Sequence, residues 1–267
     1  MKNPNLDEIA DIIADVAETE VMPRFKNLSV SDIATKTSAD DLVTTADTET
    51  EKALTIRLTA ALPDSLVVGE ESCFQNPEVI EYLKQDKPVW VIDPVDGTMN
   101  FSYGRSEFGM VVALVYKGET VAGWLYNPVM KAMIYGEKGS GAWLRGKKRL
   151  SVSNPQELTK MHGVVGRRVA FRDPKLNQPV WWGAASFGYM MIATGEADYS
   201  AYRTKVIKPW DHAAGVMLHG EAGGYTAYTD GSAYVPLMGA NSLISAPNRD
   251  IWEYLARNIC APAKTGF

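Results

Sequence analysis

Trp90 to Phe101 reads WVIDPVDGTMNF. The run from Pro88 to Ile92, PVWVI, has the composition of a buried strand, so Asp93 and Asp96 should emerge at its C-terminal tip, where an open sheet leaves a crevice for ligands. Asp93-Pro94 then forces a bend. Two carboxylates on one bend are costly to desolvate together unless a cation neutralises them. Hard divalent ions such as Mg²⁺ take one or two carboxylates together with phosphate oxygens from a substrate. Gly97 permits close backbone approach, and the N–H groups from Gly97 onward point at an anion if a helix starts there. The same residues also read as a turn in which Asp93 and Asp96 cap a helix, because Asp-Pro and Asp-Gly pairs are ordinary turn chemistry.

Outward from this stretch the pattern is α/β, without repeats or low-complexity linkers. Leu6, Ile9, Ala10, Ile13, Val16 and Ala17 recur at i, i+3, i+4, i+7, which predicts an amphipathic helix ending before Pro23. A second helix is expected from about Thr48 to Ala61. Gly109–Tyr116 and Thr120–Tyr126, joined by Lys117-Gly118, read as an antiparallel hairpin, with further strands at Lys131–Tyr135 and Ala142–Leu144. After Ser153 the pattern predicts helices at Ala185–Ala193 and Asp211–Glu221, the latter closed by Gly223-Gly224. Strands follow near Asp198–Tyr202, Tyr225–Thr229 and Leu243–Ser245. A last helix starts near Asn248 with Trp252, Leu255, Ala256 and Ile259 on its apolar face.

Composition bounds the function. With 267 residues, 46% of them hydrophobic, the chain can bury a large core as one domain or two closely packed halves. A net charge of −5 argues against a nucleic-acid partner, for which a clustered basic face is expected. The N-terminus has no apolar leader and no run of about eighteen apolar residues occurs, so a soluble, cytoplasmic protein without a membrane partner is expected. Cys73 and Cys260 lack any CxxC spacing and are expected as free thiols. His162, His212 and His219 are not in metal-ligand spacing and read as solvated or core-packed. Trp181-Trp182 and Met190-Met191 read as core or interface filling.

Three further segments carry acids at element boundaries: Asp40–Asp47 (DDLVTTAD), Val67–Ser72 (VVGEES) and Lys208–Gly224 (KPWDHAAGVMLHGEAGG). With WVIDPVDGTMNF, and in this order and spacing, they closely resemble the inositol monophosphatase family, Mg²⁺-dependent, lithium-sensitive phosphomonoesterases related to fructose-1,6-bisphosphatase. The resemblance runs from about Lys36 to about Gly224. It implies a layered αβαβα sandwich of the sugar phosphatase type, of class α/β (α+β). Residues 1–152 would carry most metal ligands and 153–267 would close the site, in one compact unit that assembles as a homodimer.

The resemblance also implies a site map. Glu70, Asp93 and the carbonyl of Val95 would hold a first Mg²⁺, and Asp93, Asp96 and Asp211 a second. A third, weaker ion would lie near Lys36 on a mobile loop; an exposed loop lysine is the other reading of Lys36. Thr98 would hydrogen-bond the nucleophilic water, with Asp47 accepting from the Thr98 hydroxyl and Glu70 helping to take the proton. Gly97 and Thr98 would face the phosphate, and Ala185, in GAAS (Gly183 to Ser186), would lie under the sugar ring. Asp47 and Asp211 also read as helix N-caps, and Glu71 as a supporting or surface group.

Substrate choice is where the chain departs from the family. Inositol-acting members carry a Glu seven residues before the Asp of the WD motif; Thr204 stands there, between Arg203 and Lys205. Arg167, Arg168 and Arg172 form a basic segment that either recognises a second anionic group or is a solvated loop. The expected reaction is Mg²⁺-dependent hydrolysis of a small phosphate monoester, with inositol 1-phosphate or a related sugar or polyol phosphate first. The alternatives are fructose 1,6-bisphosphate, 3′-phosphoadenosine 5′-phosphate, histidinol phosphate, or a regulatory role through a protein partner.

Overall fold

The computed structural model of the chain describes residues 4–29, 32–35, 42–146, 148–155, 157–169, 175–239 and 242–258. Helix α1 (Leu6–Val16) starts where the Asn5 side chain accepts the amide of Asp7, and it buries Ile9, Ala10, Ile13 and Val16, the face its periodicity predicts. A short antiparallel ribbon, β1 (Ile33–Thr35) and β2 (Leu42–Thr44), leads into α2 (Thr45–Ala61). The main sheet follows in the order β3 (Leu66–Gly69), β4 (Val89–Asp96), β5 (Gly109–Tyr116), β6 (Glu119–Asn127), β7 (Ala132–Glu137), β8 (Ala142–Leu144) and β9 (Lys148–Arg149). Only β3 and β4 are parallel. The Lys117-Gly118 hairpin turn has φ of 52° and 76°, the pair of positive angles that matches the twist of the flanking strands.

Two short helices interrupt this half, α3 (Glu70–Gln75) and α4 (Thr98–Ser102). The second sheet runs β10 (Gly163–Val165), β11 (Tyr199–Arg203), β13 (Ser242–Ala246), β12 (Tyr225–Tyr228). Helices α5 (Ala185–Thr194) and α6 (Pro209–Glu221) lie between the sheets, and α7 (Arg249–Asn258) closes the far side.

The two-residue side-chain period of β4 and β5 assigns the layers. Trp90, Ile92, Met110 and Val112 pack with Ile9, Ile13, Leu54 and Leu58 of α1 and α2. Their alternates Val91, Val111 and Ala113 pack with Tyr189 of α5, Ala214 and Leu218 of α6, and Tyr202 and Leu243 of the second sheet. Tyr199, Ala201 and Ile244 turn outward onto Trp252 and Leu255 of α7. The result is the αβαβα sandwich expected from the sequence. One core cluster contains residues from both halves of the chain.

Several boundaries differ from the sequence reading. The strand expected at 88–92 extends to Asp96, so both carboxylates belong to its last residues rather than following them. Pairing with β5 shifts register between Asp93 and Asp96, where Pro94 has no N–H to give to a ladder. Helix α6 starts at Pro209, two residues before Asp211, since proline fits a first helical turn. Helix α3, the 3₁₀ turn Pro77–Lys84, β9 and β10 have too few residues to show a period. Ile259 and Cys260 lie outside the described residues. Cys73 is a buried free thiol, which burial pushes up to about 12.

Candidate active site

A cleft of about 1070 Å³ opens over the C-terminal end of β4. Three carboxylates meet there. Glu70 begins α3 directly after β3, Asp93 ends the straight part of β4, and Asp211 lies in the first turn of α6. One oxygen from each lies within 4.8 Å of the others, the one such group among the described residues. Asp93 is fully enclosed, and burial, followed by the charges of Glu70, Asp96, Asp211 and Asp47, raises it well above the ordinary carboxylate range. Such a set is stable as carboxylates only with positive charge among them, and Lys208 Nζ, 3.5 Å from Glu70, supplies part of it. All three offer hard oxygen donors, the set that suits Mg²⁺ or a similar divalent ion.

Asp96 lies beside this group with one oxygen already engaged. Its Oδ2 accepts the Ser186 amide at 2.5 Å, at the N-terminus of α5. Burial pushes Asp96 up to about 6 although the Ser186 and Ala185 amides oppose the shift. Ser186 belongs to the GAAS segment, and its small side chain lies against Gly109 of β5, where a Cβ would fall 2.8 Å from the Ser186 hydroxyl. Gly97 explains the next step. It sits at φ 89°, and a Cβ on it would lie 2.8 Å from that of Ala184, so only glycine makes this turn beneath α5.

Thr98 opens α4 with its hydroxyl 3.1 Å from Asp47 Oδ1 and 3.0 Å from the Val95 carbonyl. Asp47 has two tasks. Its Oδ2 accepts the Thr44 amide at 2.7 Å and the Thr44 hydroxyl at 2.6 Å, completing the capping box of α2, while Oδ1 faces Thr98. Asp47 is thus the third residue of α2 within the capping box rather than its N-cap, which is Thr44, and its second oxygen is held against Thr98. The Val95 amide donates to Asp93 Oδ1 at 3.1 Å, which fixes that carboxylate against its own turn.

One residue of the arrangement escaped the sequence reading. Glu51, buried on α2, accepts the amides of Glu71 and Ser72 at 2.7 and 2.8 Å and so anchors the first turn of α3, which carries Glu70. Gly69 makes room for it, since a Cβ there would fall 2.2 Å from the Glu51 carboxyl carbon. An acid three residues before Leu54 in the second expected helix was the only trace of it in the sequence. Glu71, read as a supporting or surface group, is buried.

The remaining expected residues separate. Ala185 starts α5 and lines a smaller pocket of about 180 Å³ that continues from the cleft. Thr204 and Lys205 follow β11 and line the cleft, with the Thr204 hydroxyl donating to the Val206 carbonyl at 2.7 Å. Arg167 and Arg168 line it as well, whereas Arg172 and Lys36 lie outside the described residues. Of the two tryptophans read as core or interface filling, Trp181 is 48% exposed and forms part of the cleft wall, while Trp182 packs on Phe187. His212 and His219 are core-packed, each with Nδ1 3.0 Å from a hydroxyl, of Tyr189 and Thr226 respectively, and burial pushes both down to about 3.

Comparison with known proteins agrees with this geometry. The profile of the inositol monophosphatase family matches residues 3–264. The chain is 31% identical over 202 residues to a fructose-1,6-bisphosphatase/inositol-1-monophosphatase of Thermotoga maritima, covering 73% of this chain and 74% of that one. It is 32% identical over 240 residues to an inositol-1-monophosphatase of Caulobacter vibrioides, covering 85% and 90%. Among solved structures, the Thermotoga maritima IMPase superposes with a TM-score of 0.81 over 94% of each chain at 26% identity. The acidic motifs, the five-layer fold and these likenesses agree, and the chain belongs to the inositol monophosphatase family.

Proposed function

We propose that this chain is an Mg²⁺-dependent phosphoric monoester hydrolase of small sugar or polyol phosphates, with inositol 1-phosphate as its reference substrate. The observation that carries the reading is the group formed by Glu70, Asp93 and Asp211, with carboxylate oxygens within 4.8 Å of one another, at a cleft lined by Glu70, Asp211 and Thr98. Glu70, Asp93 and the Val95 carbonyl would hold one ion and Asp93, Asp96 and Asp211 a second, with a third near Lys36. Ions bound there would neutralise the phosphoryl oxygens and acidify a water.

The chain's own groups do the rest. Gly97 and Thr98 present backbone N–H groups to the phosphate. The Thr98 hydroxyl donates to Asp47, leaving its lone pairs to accept from the attacking water and orient it. Glu70, at the edge of the cleft, takes the proton. Asp93 and Asp96, enclosed by β5 and α5, keep their positions without reorganising during the reaction. In keeping with the family resemblance, the enzyme is inhibited by Li⁺ and works as a cytoplasmic homodimer. No described helix is long and apolar enough to cross a membrane.

Phosphate release from inositol 1-phosphate and a panel of sugar phosphates, titrated with Mg²⁺ and then with EDTA and Li⁺, tests the proposal. Turnover that rises with Mg²⁺ and stops with EDTA is expected. No Mg²⁺-dependent release from any ester would overturn it in favour of a binding role. Light scattering and cell fractionation check the dimer and its location.

A further inference from the structure

The cleft is lined by groups of both charges. Carboxylates of Glu70, Asp96 and Asp211 line one part of its wall; Arg167, Arg168 and Lys205 line another. Arg167 and Arg168 follow β10 and Lys205 follows β11, and β10 and β11 are adjacent parallel strands, so the sheet itself delivers these cations to one edge. Arg168 and Lys205 form no ion pair with any described residue, whereas Lys208, nearer the acids, pairs with Glu70 at 3.5 Å. In a chain of net charge −5, Arg168 and Lys205, with Arg167 beside them, put exposed positive charge on the wall of this cavity, which favours an anion there. At about 1070 Å³ the cavity far exceeds what one phosphoryl group with its ions fills, and the half-exposed indole of Trp181 gives the same wall an apolar face for a carbon skeleton.

Resting on the phosphatase reading, we propose that Arg167, Arg168 and Lys205 form a subsite for a second anionic group, a phosphate or a carboxylate, on the alcohol side of the substrate. The preferred substrates are therefore phosphate monoesters that carry another negative charge, rather than neutral polyol phosphates. Guanidinium groups suit either anion because both present two oxygens to a planar fork. Thr204, between Arg203 and Lys205, fits the same preference: its hydroxyl is already donated to Val206, and a carboxylate at that position would repel the incoming anion.

The test compares matched esters. Glycerol 3-phosphate and 3-phosphoglycerate differ by a carboxylate, and fructose 1-phosphate and fructose 1,6-bisphosphate by a phosphate. Hydrogen bonds to a charged group should make kcat/KM for the second member of one pair about tenfold to a hundredfold higher. The advantage should shrink with added salt. In the Arg167→Ala/Arg168→Ala variant the ratio should fall close to one, and in Arg167→Lys/Arg168→Lys, which keeps the charge, it should be partly retained. The ratio is read within each protein, so partial loss of folded enzyme does not change it. A wild-type ratio at or below one in both pairs overturns the proposal, as does a high ratio that the alanine variant keeps. Which pair shows the larger ratio distinguishes carboxylate from phosphate. Calorimetric titration of the same pairs into metal-free protein separates this proposal from the phosphatase reading. A binding preference that disappears in the alanine variant supports the subsite even if no ester is hydrolysed, and no preference overturns it.

Discussion

The acidic and cationic groups at the cleft are built in contrasting ways. Asp93 and Asp96 lie in the second half of β4, which is paired on both sides, are almost inaccessible, and hold backbone amides of Val95 and Ser186. Asp47 is tied into a helix cap, and Glu70 stands on a turn anchored by Glu51. Arg167, Arg168 and Lys205 are exposed side chains on connections that leave the second sheet. On the proposed reading, charge that would hold metal is placed where packing fixes it, and charge that would select a ligand is placed where substitution leaves the core intact. The proposed reaction centre and the proposed specificity surface could then change independently.

The strongest way to break that contrast is at Asp93. Asp93→Asn should lower the catalytic rate by on the order of 10³-fold, because a site dominated by electrostatics loses its most enclosed charge. Mg²⁺ titration of the variant checks this, and near-normal turnover would remove Asp93 from the centre. Next is Thr98→Ala, for which kcat should fall about 10²-fold while KM and Tm hardly change, as an interaction made mainly in the transition state requires. A large fall in Tm with unchanged kcat would instead make the Thr98–Asp47 bond a structural tie.

The rigidity of the acidic group depends on α6, which carries both Asp211 and the buried His219. Burial lowers His219 to about 3, so the folded protein stays neutral there while an unfolded imidazole takes up a proton below its ordinary 6.5. The unfolded state then binds more protons, and stability is lost as pH falls from about 6.5 toward 3. This one group should account for about 2 kcal/mol between pH 7.5 and pH 5. Urea unfolding at the two pH values, compared with His219→Gln, measures it; an unchanged acid slope would show that His219 is not its source. Around the cationic group the effects should be smaller. Thr204→Glu should move preference toward inositol 1-phosphate over a bisphosphate by about 1 to 2 kcal/mol, one hydrogen bond to a charged group, with the melting temperature unaffected. Paired kcat/KM values decide it, and no shift would separate Thr204 from specificity.

The same contrast explains what could be read from the sequence. WVIDPVDGTMNF was legible because strand, bend, carboxylates and glycine follow one another within twelve residues, and each local preference agrees with the fold. The strands β4 and β5 were legible as apolar runs, whereas the five layers followed only from the family resemblance. Glu51 was not legible, since its role exists only when amides twenty residues away arrive beside it. The engagement of Asp96 by α5 spans ninety residues and was hidden for the same reason. The sequence left Trp181 and Trp182 together as core or interface residues, because an aromatic pair does not say which ring faces a cavity. Arg167 and Arg168 were legible as charge and became cleft residues only through the pairing of β10 with β11.

Gly69 and Glu51 impose a rule of inheritance on chains of this kind. The space a side chain would need at position 69 is occupied by the carboxylate from position 51, and that carboxylate is held by the two amides that follow Glu70. Neither position can drift alone: a larger residue at 69 expels the acid, and a smaller residue at 51 leaves two buried amides without an acceptor. A lineage that changes one must change the other and re-anchor α3, so the pair should be gained or lost together with the position of Glu70 itself.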